Sequence, residues 1–259
     1  MAGRVDGKVV IITGAGTGVG RACVDRFTTE GARVVAVGRT RATLEESTSH
    51  APSGQAIVHV ADLSQDEAAD SVVKAATDRF GRVDVLVHAA GVGYSWAEKS
   101  PGSMNDAMNT TPDKWREVIG INLDGYYLMA RAVLPALIAQ GGGAIVAVTS
   151  ISGMLGLAGA HAYASAKAGM INLTRSLCVT HAKDNIRANC IAPGFIDTPM
   201  VASVINIFDD PAVADQMSPM RRPGSSVEMA NGCLYLASDE ASYCNGSVLV
   251  IDGGTSARQ

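Results

Sequence analysis

Val9-Val10-Ile11-Ile12-Thr13-Gly14-Ala15-Gly16-Thr17-Gly18-Val19-Gly20 is the stretch that decides how this chain folds. Its first half is a short aliphatic run, the composition of a strand buried on both faces. Its second half places glycines at 14, 16, 18 and 20, and residues 21–30 follow as a helix that Gly31 ends in the C′ position. A helix N-terminus presents unpaired N–H groups and a partial positive charge to an anion. Glycines there let the backbone turn tightly and let a pyrophosphate come close. Strand, glycine turn and helix in that order read as one βα unit with a phosphate cradle at its joint.

The same alternation continues outward. Residues 33–37, 57–60, 83–87, 144–149, 186–191 and 247–251 are further Val/Ile-rich strands. Helices are predicted over 64–80, 112–140, 162–182 and 226–237. Ser64 caps the first of these, with Glu67 closing a capping box and Gly81 as the stop. Thr111 caps the second, with Pro112 at its first position. Seven strands separated by helices imply an α/β fold: a single-domain, doubly wound, seven-stranded parallel sheet of Rossmann type with helices on both faces. No repeat or linker divides the chain, so residues 1–259 read as one domain. Two segments, 92–110 and 195–224, are long for connections in a compact domain, and such loops are usually functional.

Composition narrows the possible partners. Hydrophobic residues make up 47% and charged residues 18%, enough for a large core. Lys+Arg is 21 against Asp+Glu 25, with no basic stripe, which argues against nucleic acid. Cys23, Cys178, Cys190, Cys233 and Cys244 are scattered with no C-x-x-C pair, so they read as reduced thiols, not as a metal site or disulfide framework. Residues 1–8 are polar and lack the apolar core of a signal peptide, and no apolar run reaches the length of a membrane span. A cytoplasmic location with no membrane partner is the default expectation.

Two clusters carry chemistry. After the second strand comes Gly38-Arg39-Thr40-Arg41, where a dinucleotide site selective for NAD places an acid for the ribose 2′-OH. Arg39 can instead fork onto a 2′-phosphate, so NADP(H) is favoured over NAD(H). Further along, Tyr163 and Lys167 are spaced to share one helix face, and Ser150 ends the fifth strand, where open parallel sheets bind ligands. A free phenol, with pKa near ~10, is too weak a base at neutral pH, and a nearby ammonium lowers that value. A phenol so tuned can exchange a proton with a carbonyl or alcohol oxygen, and a serine hydroxyl beside it can hold the same oxygen.

With these motifs in place, the chain resembles the short-chain dehydrogenase/reductase family over roughly residues 6–254. Thr13-Gly14 through Gly18 and Gly20 resemble its T-G-x-x-x-G-x-G, and Ser150, Tyr163 and Lys167 its catalytic trio. Asn122 is similar to the asparagine that supports a water chain to the lysine. Asp62-Leu63 resembles the pair near the adenine, and Pro193-Gly194 with Ile196 and Thr198 the segment around the nicotinamide carboxamide. Asp252-Gly253-Gly254 resembles the C-terminal signature. The resemblance implies a nicotinamide-dependent oxidoreductase acting on a carbonyl or secondary alcohol. Tyr163 would be its acid/base, Lys167 would bind the nicotinamide ribose, Ser150 would orient the substrate oxygen, and Asn122 would complete the relay. Gly14, Thr17, Gly18, Val19 and Gly20, with Ala90 and Gly91 after the fourth strand, would also contact cofactor. It implies no metal and a homo-oligomer, tetramer or dimer. His88-Ala89-Ala90-Gly91 departs from the usual Asn-Asn-Ala-Gly, and His88 reads as packed or hydrogen-bonded, not catalytic.

Tyr94, Trp96, Met104 and Met108 suggest that the extended loop, residues 92–110, walls the substrate pocket or an oligomer interface. Residues 195–224, with Met200, Ile205, Phe208 and Met217, resemble the family's mobile substrate lid and suggest a hydrophobic small-molecule substrate. Deleting residues 95–103 is then expected to alter substrate constants more than cofactor binding. A 3-oxoacyl-[acyl-carrier-protein] reductase shares every motif; Arg221-Arg222 is the candidate patch for its acidic carrier. A dinucleotide-binding regulator without turnover shares the phosphate turn but has no need of the trio.

Overall fold

The computed structural model describes residues 3–258, so residues 1, 2 and 259 of the predicted domain lie outside the described residues. Seven strands form one sheet: β1 (Val9–Thr13), β2 (Arg33–Gly38), β3 (Ala56–Val60), β4 (Val85–His88), β5 (Gly143–Val148), β6 (Ile186–Pro193) and β7 (Val248–Ile251). All pairs are parallel, in the order β3-β2-β1-β4-β5-β6-β7. The helices are α1 (Gly18–Thr29), α2 (Arg41–Thr48), α3 (Ala68–Phe80), α4 (Pro112–Ile119), α5 (Gly125–Ala139), α6 (His161–His181), α7 (Pro211–Met217) and α8 (Ser226–Ala237).

Strand side chains alternate between faces, and each face builds its own core. Val10 and Ile12 pack with Phe27 of α1 and Met229 of α8, while Val9 and Ile11 pack with Val72 of α3 and Met129 of α5. β1 lies between β2 and β4, so successive crossovers leave it in opposite directions. A crevice opens at that reversal, beyond the carboxyl ends of the strands.

Three local expectations need correcting. The helix predicted from Ser64 begins at Ala68, and no side-chain bond caps it. Ser64 instead donates its hydroxyl to Asp62 Oδ1 at 2.9 Å, and its N–H bonds the same oxygen at 3.1 Å. That turn competes with the capping box and wins. The helix predicted over 112–140 starts as expected, with Thr111 accepting the Lys114 N–H, but a π-helical turn, Gly120–Asp124, divides it. Asn122 sits at the break, where its Nδ2 donates to Val118 O of α4 at 3.0 Å. Finally, the pattern marks neither α2, where Leu44 is the one buried aliphatic, nor α7, where Ala214 alone is buried.

Candidate active site

The crevice is a cavity of about 640 Å³ running from the glycine turn to α6. At its mouth Gly14 adopts φ +63°, and a Cβ there would stand 2.7 Å from the Ala89 carbonyl oxygen. Both conditions require glycine, and they bring the β1 and β4 loops together. The first turn of α1 has no side-chain cap at Thr17 and no acid, so its N–H groups are free for an anion. Gly14, Thr17, Gly18, Val19 and Gly20 line this end, with Arg39 beyond β2 and Asp62 and Leu63 beyond β3. Ala90 and Gly91 form the wall after β4. Pro193, Gly194, Ile196 and Thr198 face them from beyond β6, and Tyr163, Lys167 and Ser150 close the far end.

Two devices set the geometry of that far end. The turn after Ser150 lies against α6 so closely that a Cβ on Gly153 would meet the Lys167 carbonyl carbon at 2.7 Å. Only glycine permits this contact, which fixes Ser150 relative to the helix. Tyr163 and Lys167 follow one turn apart on α6, and Lys167 Nζ donates to Val148 O at 3.1 Å. The ammonium lies 5.7 Å from the Tyr163 ring centroid, over the ring and not at its oxygen.

That placement reverses one expectation. Tyr163 is pushed up to about 12 by burial, with the Tyr94 phenol adding to the rise and hydrogen bonding from the Ser150 hydroxyl opposing it. Lys167, 3% exposed, is pushed down to about 8 by the same burial. In the free protein, burial sets the direction of both shifts.

Asn122 is fully buried and stands behind the cleft wall. Its Oδ1 accepts the Val92 N–H at 3.2 Å, so it makes no direct bond to Lys167. The space between them is left by Gly91, whose Cβ would fall 2.6 Å from Asn122 Oδ1 and 3.4 Å from Lys167 Nζ. His88 is also buried; its Nδ1 bonds Thr13 Oγ1 at 3.1 Å, and its ring packs 5.2 Å from Tyr126. Burial pushes its pKa down to about 3, with the Lys167 charge adding to the effect. Thr13 Oγ1 in turn accepts the Ala90 N–H, so His88 braces the cleft wall.

Segment 92–110 packs over the cleft. Tyr94 lies 6.4 Å from the Tyr163 ring and stacks on Phe195 at 6.2 Å. Ser95 N–H bonds Met200 O at 3.0 Å, tying the segment to residues 195–224. Trp96 sits under the Arg39 guanidinium, 5.2 Å from centroid to Cζ, Met104 packs against the buried group around Tyr163, and Met108 is exposed. Residues 195–224 leave and rejoin the sheet at one point, where Gly224 N–H bonds Phe195 O and Asp197 N–H bonds Gly224 O. Of the four apolar residues singled out there, Met200 and Met217 line the cleft, and Phe208 packs edge-on to Phe195. The sequence reading missed Leu155, Leu157 and Phe195 as cleft walls, and Lys99 at the rim. Leu155 and Leu157 lie in an irregular stretch with no periodicity to mark them.

Among the described residues no cluster of His, Cys, Asp or Glu could hold a metal ion, and no helix is long and apolar enough to cross a membrane.

Residues 14–256 match the family described as Enoyl-(Acyl carrier protein) reductase. The chain is 37% identical to levodione reductase of Leifsonia aquatica, across 98% of this chain and 96% of that protein. It is 36% identical to a 3-oxoacyl-[acyl-carrier-protein] reductase of Thermotoga maritima, across 97% and 98%. The crystal structure of levodione reductase superposes with a TM-score of 0.89 at 36% identity, covering 98% of this chain and 99% of that one.

Proposed function

The chain belongs to the short-chain dehydrogenase/reductase family and is an oxidoreductase acting on CH–OH groups and the matching carbonyls; from that premise we propose that it uses NADP(H), with Tyr163 as acid/base. The observation that carries this reading is the shared cavity, which joins an uncapped glycine turn to a buried phenol, ammonium and hydroxyl. The residues fit a dinucleotide. Free N–H groups on α1 suit the pyrophosphate, Asp62 and Leu63 flank the adenine region, and Pro193, Gly194, Ile196 and Thr198 stand where a carboxamide would be held. Arg39, which pairs with no carboxylate among the described residues, favours a 2′-phosphate.

The bound nicotinamide supplies or takes up the hydride. In the reducing direction Tyr163, pushed up to about 12, is protonated at neutral pH and donates that proton to the substrate oxygen. The Ser150 hydroxyl donates a hydrogen bond to the same oxygen and steadies its developing charge. In the oxidising direction Tyr163 must first lose its proton, which a charged Lys167 favours. Lys167 also holds the nicotinamide ribose, and Asn122 fixes the β4 loop and opens the gap beside Gly91 through which a proton can pass.

The substrate is an apolar ketone or secondary alcohol, because Tyr94, Leu155, Leu157, Phe195, Met200 and Met217 surround the space beside Tyr163. Carrier-protein docking finds no support at Arg221-Arg222, since Arg221 pairs with Asp215 and Arg222 with Glu228. A cytoplasmic homo-oligomer, tetramer or dimer, is further proposed. Exposed Tyr127 and Ile138 on α5 and Val179 on α6 suit subunit contact, and the free cysteines suit a reducing compartment. The test is Tyr163→Phe, which should lower turnover by at least ~10²-fold while cofactor still binds. Turnover within a few-fold of the parent would overturn the assignment.

A further inference from the structure

Arg39 is not the only cation at the adenosine end of the cleft. Lys99, from segment 92–110, lies on the same indole: Arg39 Cζ is 5.2 Å and Lys99 Nζ 5.9 Å from the Trp96 ring centroid. Both residues line the cavity, beside Thr40 and Thr43. The arrangement follows from local structure. Tyr94–Glu98 is a 3₁₀ turn that continues into Lys99 through a Lys99 N–H to Trp96 O bond of 3.0 Å. Side chains three apart eclipse in such a turn, so Lys99 must lie over Trp96. Trp96 itself is anchored from the other side, with Nε1 donating to Glu117 Oε1 at 2.8 Å.

Three nearby glutamates are engaged elsewhere, and Asp62, which lines the same cavity, accepts from Ser64. Glu46 pairs with Arg21, Glu45 with Arg41, and Glu117 with Lys114. Glu98 makes no ion pair with either cation among the described residues. Two positive side chains therefore lie against one indole at the cavity edge, neither in an ion pair among the described residues. Between them and the sheet, the first turn of α2 begins at Arg41 with no side-chain cap at Thr40, which leaves N–H groups free in the same place. A dianionic phosphomonoester would satisfy all three features at once.

We propose that Lys99, carried on the same indole that Arg39 lies over, is a second specificity-determining cation for the 2′-phosphate of NADP(H). The inference rests on the NADP(H) reading and extends it to a residue outside the β2 loop, delivered by the long segment after β4.

The test is calorimetric binding of NADP⁺, NAD⁺ and 2′,5′-ADP to the parent, Lys99→Ala and Lys99→Arg. Lys99→Ala should weaken NADP⁺ and 2′,5′-ADP about fivefold, the range of a well-placed exposed charge pair, and leave NAD⁺ within twofold. Lys99→Arg should restore most of the loss. The sequence holds two tryptophans, so in a Trp115→Phe background Trp96 alone reports, and its fluorescence should respond to 2′,5′-ADP but not to 5′-AMP. A parent without preference for NADP⁺ would overturn the cofactor reading and this inference together. A parent that prefers NADP⁺ while Lys99→Ala binds it unchanged, or loses NAD⁺ equally, would overturn this inference alone.

Discussion

Lys167→Met should make the protein more stable at neutral pH while destroying its activity. Lys167 is pushed down to about 8 from an ordinary 10.5 by burial. The sign follows from proton counts: between those values the unfolded chain holds the proton and the folded one has released it, so stability rises with pH across this window. Below about pH 8 both states are protonated and the full cost of burying the charge, ~3 kcal/mol, is present. By pH 9.5 the same linkage leaves less than half of it. Methionine is close in length and carries no charge, so it removes that cost. It also abandons the 3.1 Å bond to Val148 O, a loss of about 1 kcal/mol. The variant should therefore gain about 2 kcal/mol at pH 7 and little or nothing at pH 9.5. For a chain of this length the neutral gain is roughly 5 °C in Tm. Paired melts of parent and variant at both pH values isolate the effect, because other titrating groups cancel in the difference. A variant less stable than the parent at pH 7, or a gap that stays constant with pH, would refute the argument that Lys167 is held against its solvation.

His88→Asn should leave the pH–rate profile unchanged between pH 5 and 9, because the imidazole, pushed down to about 3, is never charged there. Its depressed pKa means that the unfolded chain takes up a proton first as pH falls below 6.5, so the parent's Tm should drop faster than the variant's toward pH 4.5; parallel drops would contradict this. Removing residues 95–103, expected from sequence to act mainly on substrate, should instead raise Michaelis constants for cofactor as well, since that stretch carries Trp96 and Lys99 against Arg39 along with the Ser95 link to Met200; an effect on substrate alone would show that the rim contacts are idle.

Most of the fold was legible because the strands are short, aliphatic and bounded by glycine, and the turn after β1 has a conformational requirement that few residues meet. The positions lining the cleft follow from the same logic: an open parallel sheet binds at its carboxyl edge, so strand ends are informative before any coordinates exist. What could not be read depends on competition between local bonds. Ser64 and Glu67 satisfy a capping pattern, yet Asp62 lies two residues upstream and takes the hydroxyl. Asn122 looks like any polar residue in a helix, and only its inward turn toward Val118 and Val92 shows that it sits at the helix break and braces the β4 loop. The direction of the Tyr163 shift was unreadable for a related reason. Spacing at i, i+4 places Lys167 near the phenol, but whether it meets the oxygen or the ring depends on Val148 O, which draws the ammonium down toward β5.

Segment 92–110 shows how a loop without periodicity can still be a defined part of a site. Ordering each of its residues costs ~1–2 kcal/mol of backbone entropy, so scattered contacts would not hold it. Its bonds instead run to three separate elements. Ser95 meets residues 200 and 203, Trp96 meets Glu117 of α4, and the Met104 and Asn105 carbonyls accept the N–H groups of Ala160 and His161 at 3.1 and 3.2 Å. The last pair matters most for chemistry, because Ala160 stands in the left-handed region, at φ 50°, immediately before α6. That entry geometry sets the rotation of the first turn and hence the direction of Tyr163, three residues on. The segment therefore ties the phenol, the apolar wall and the Arg39–Trp96–Lys99 group together. On the proposed reading, placement of the acid and recognition of the cofactor's far end share a mechanical origin, although the sheet supplies them from opposite ends of the crevice.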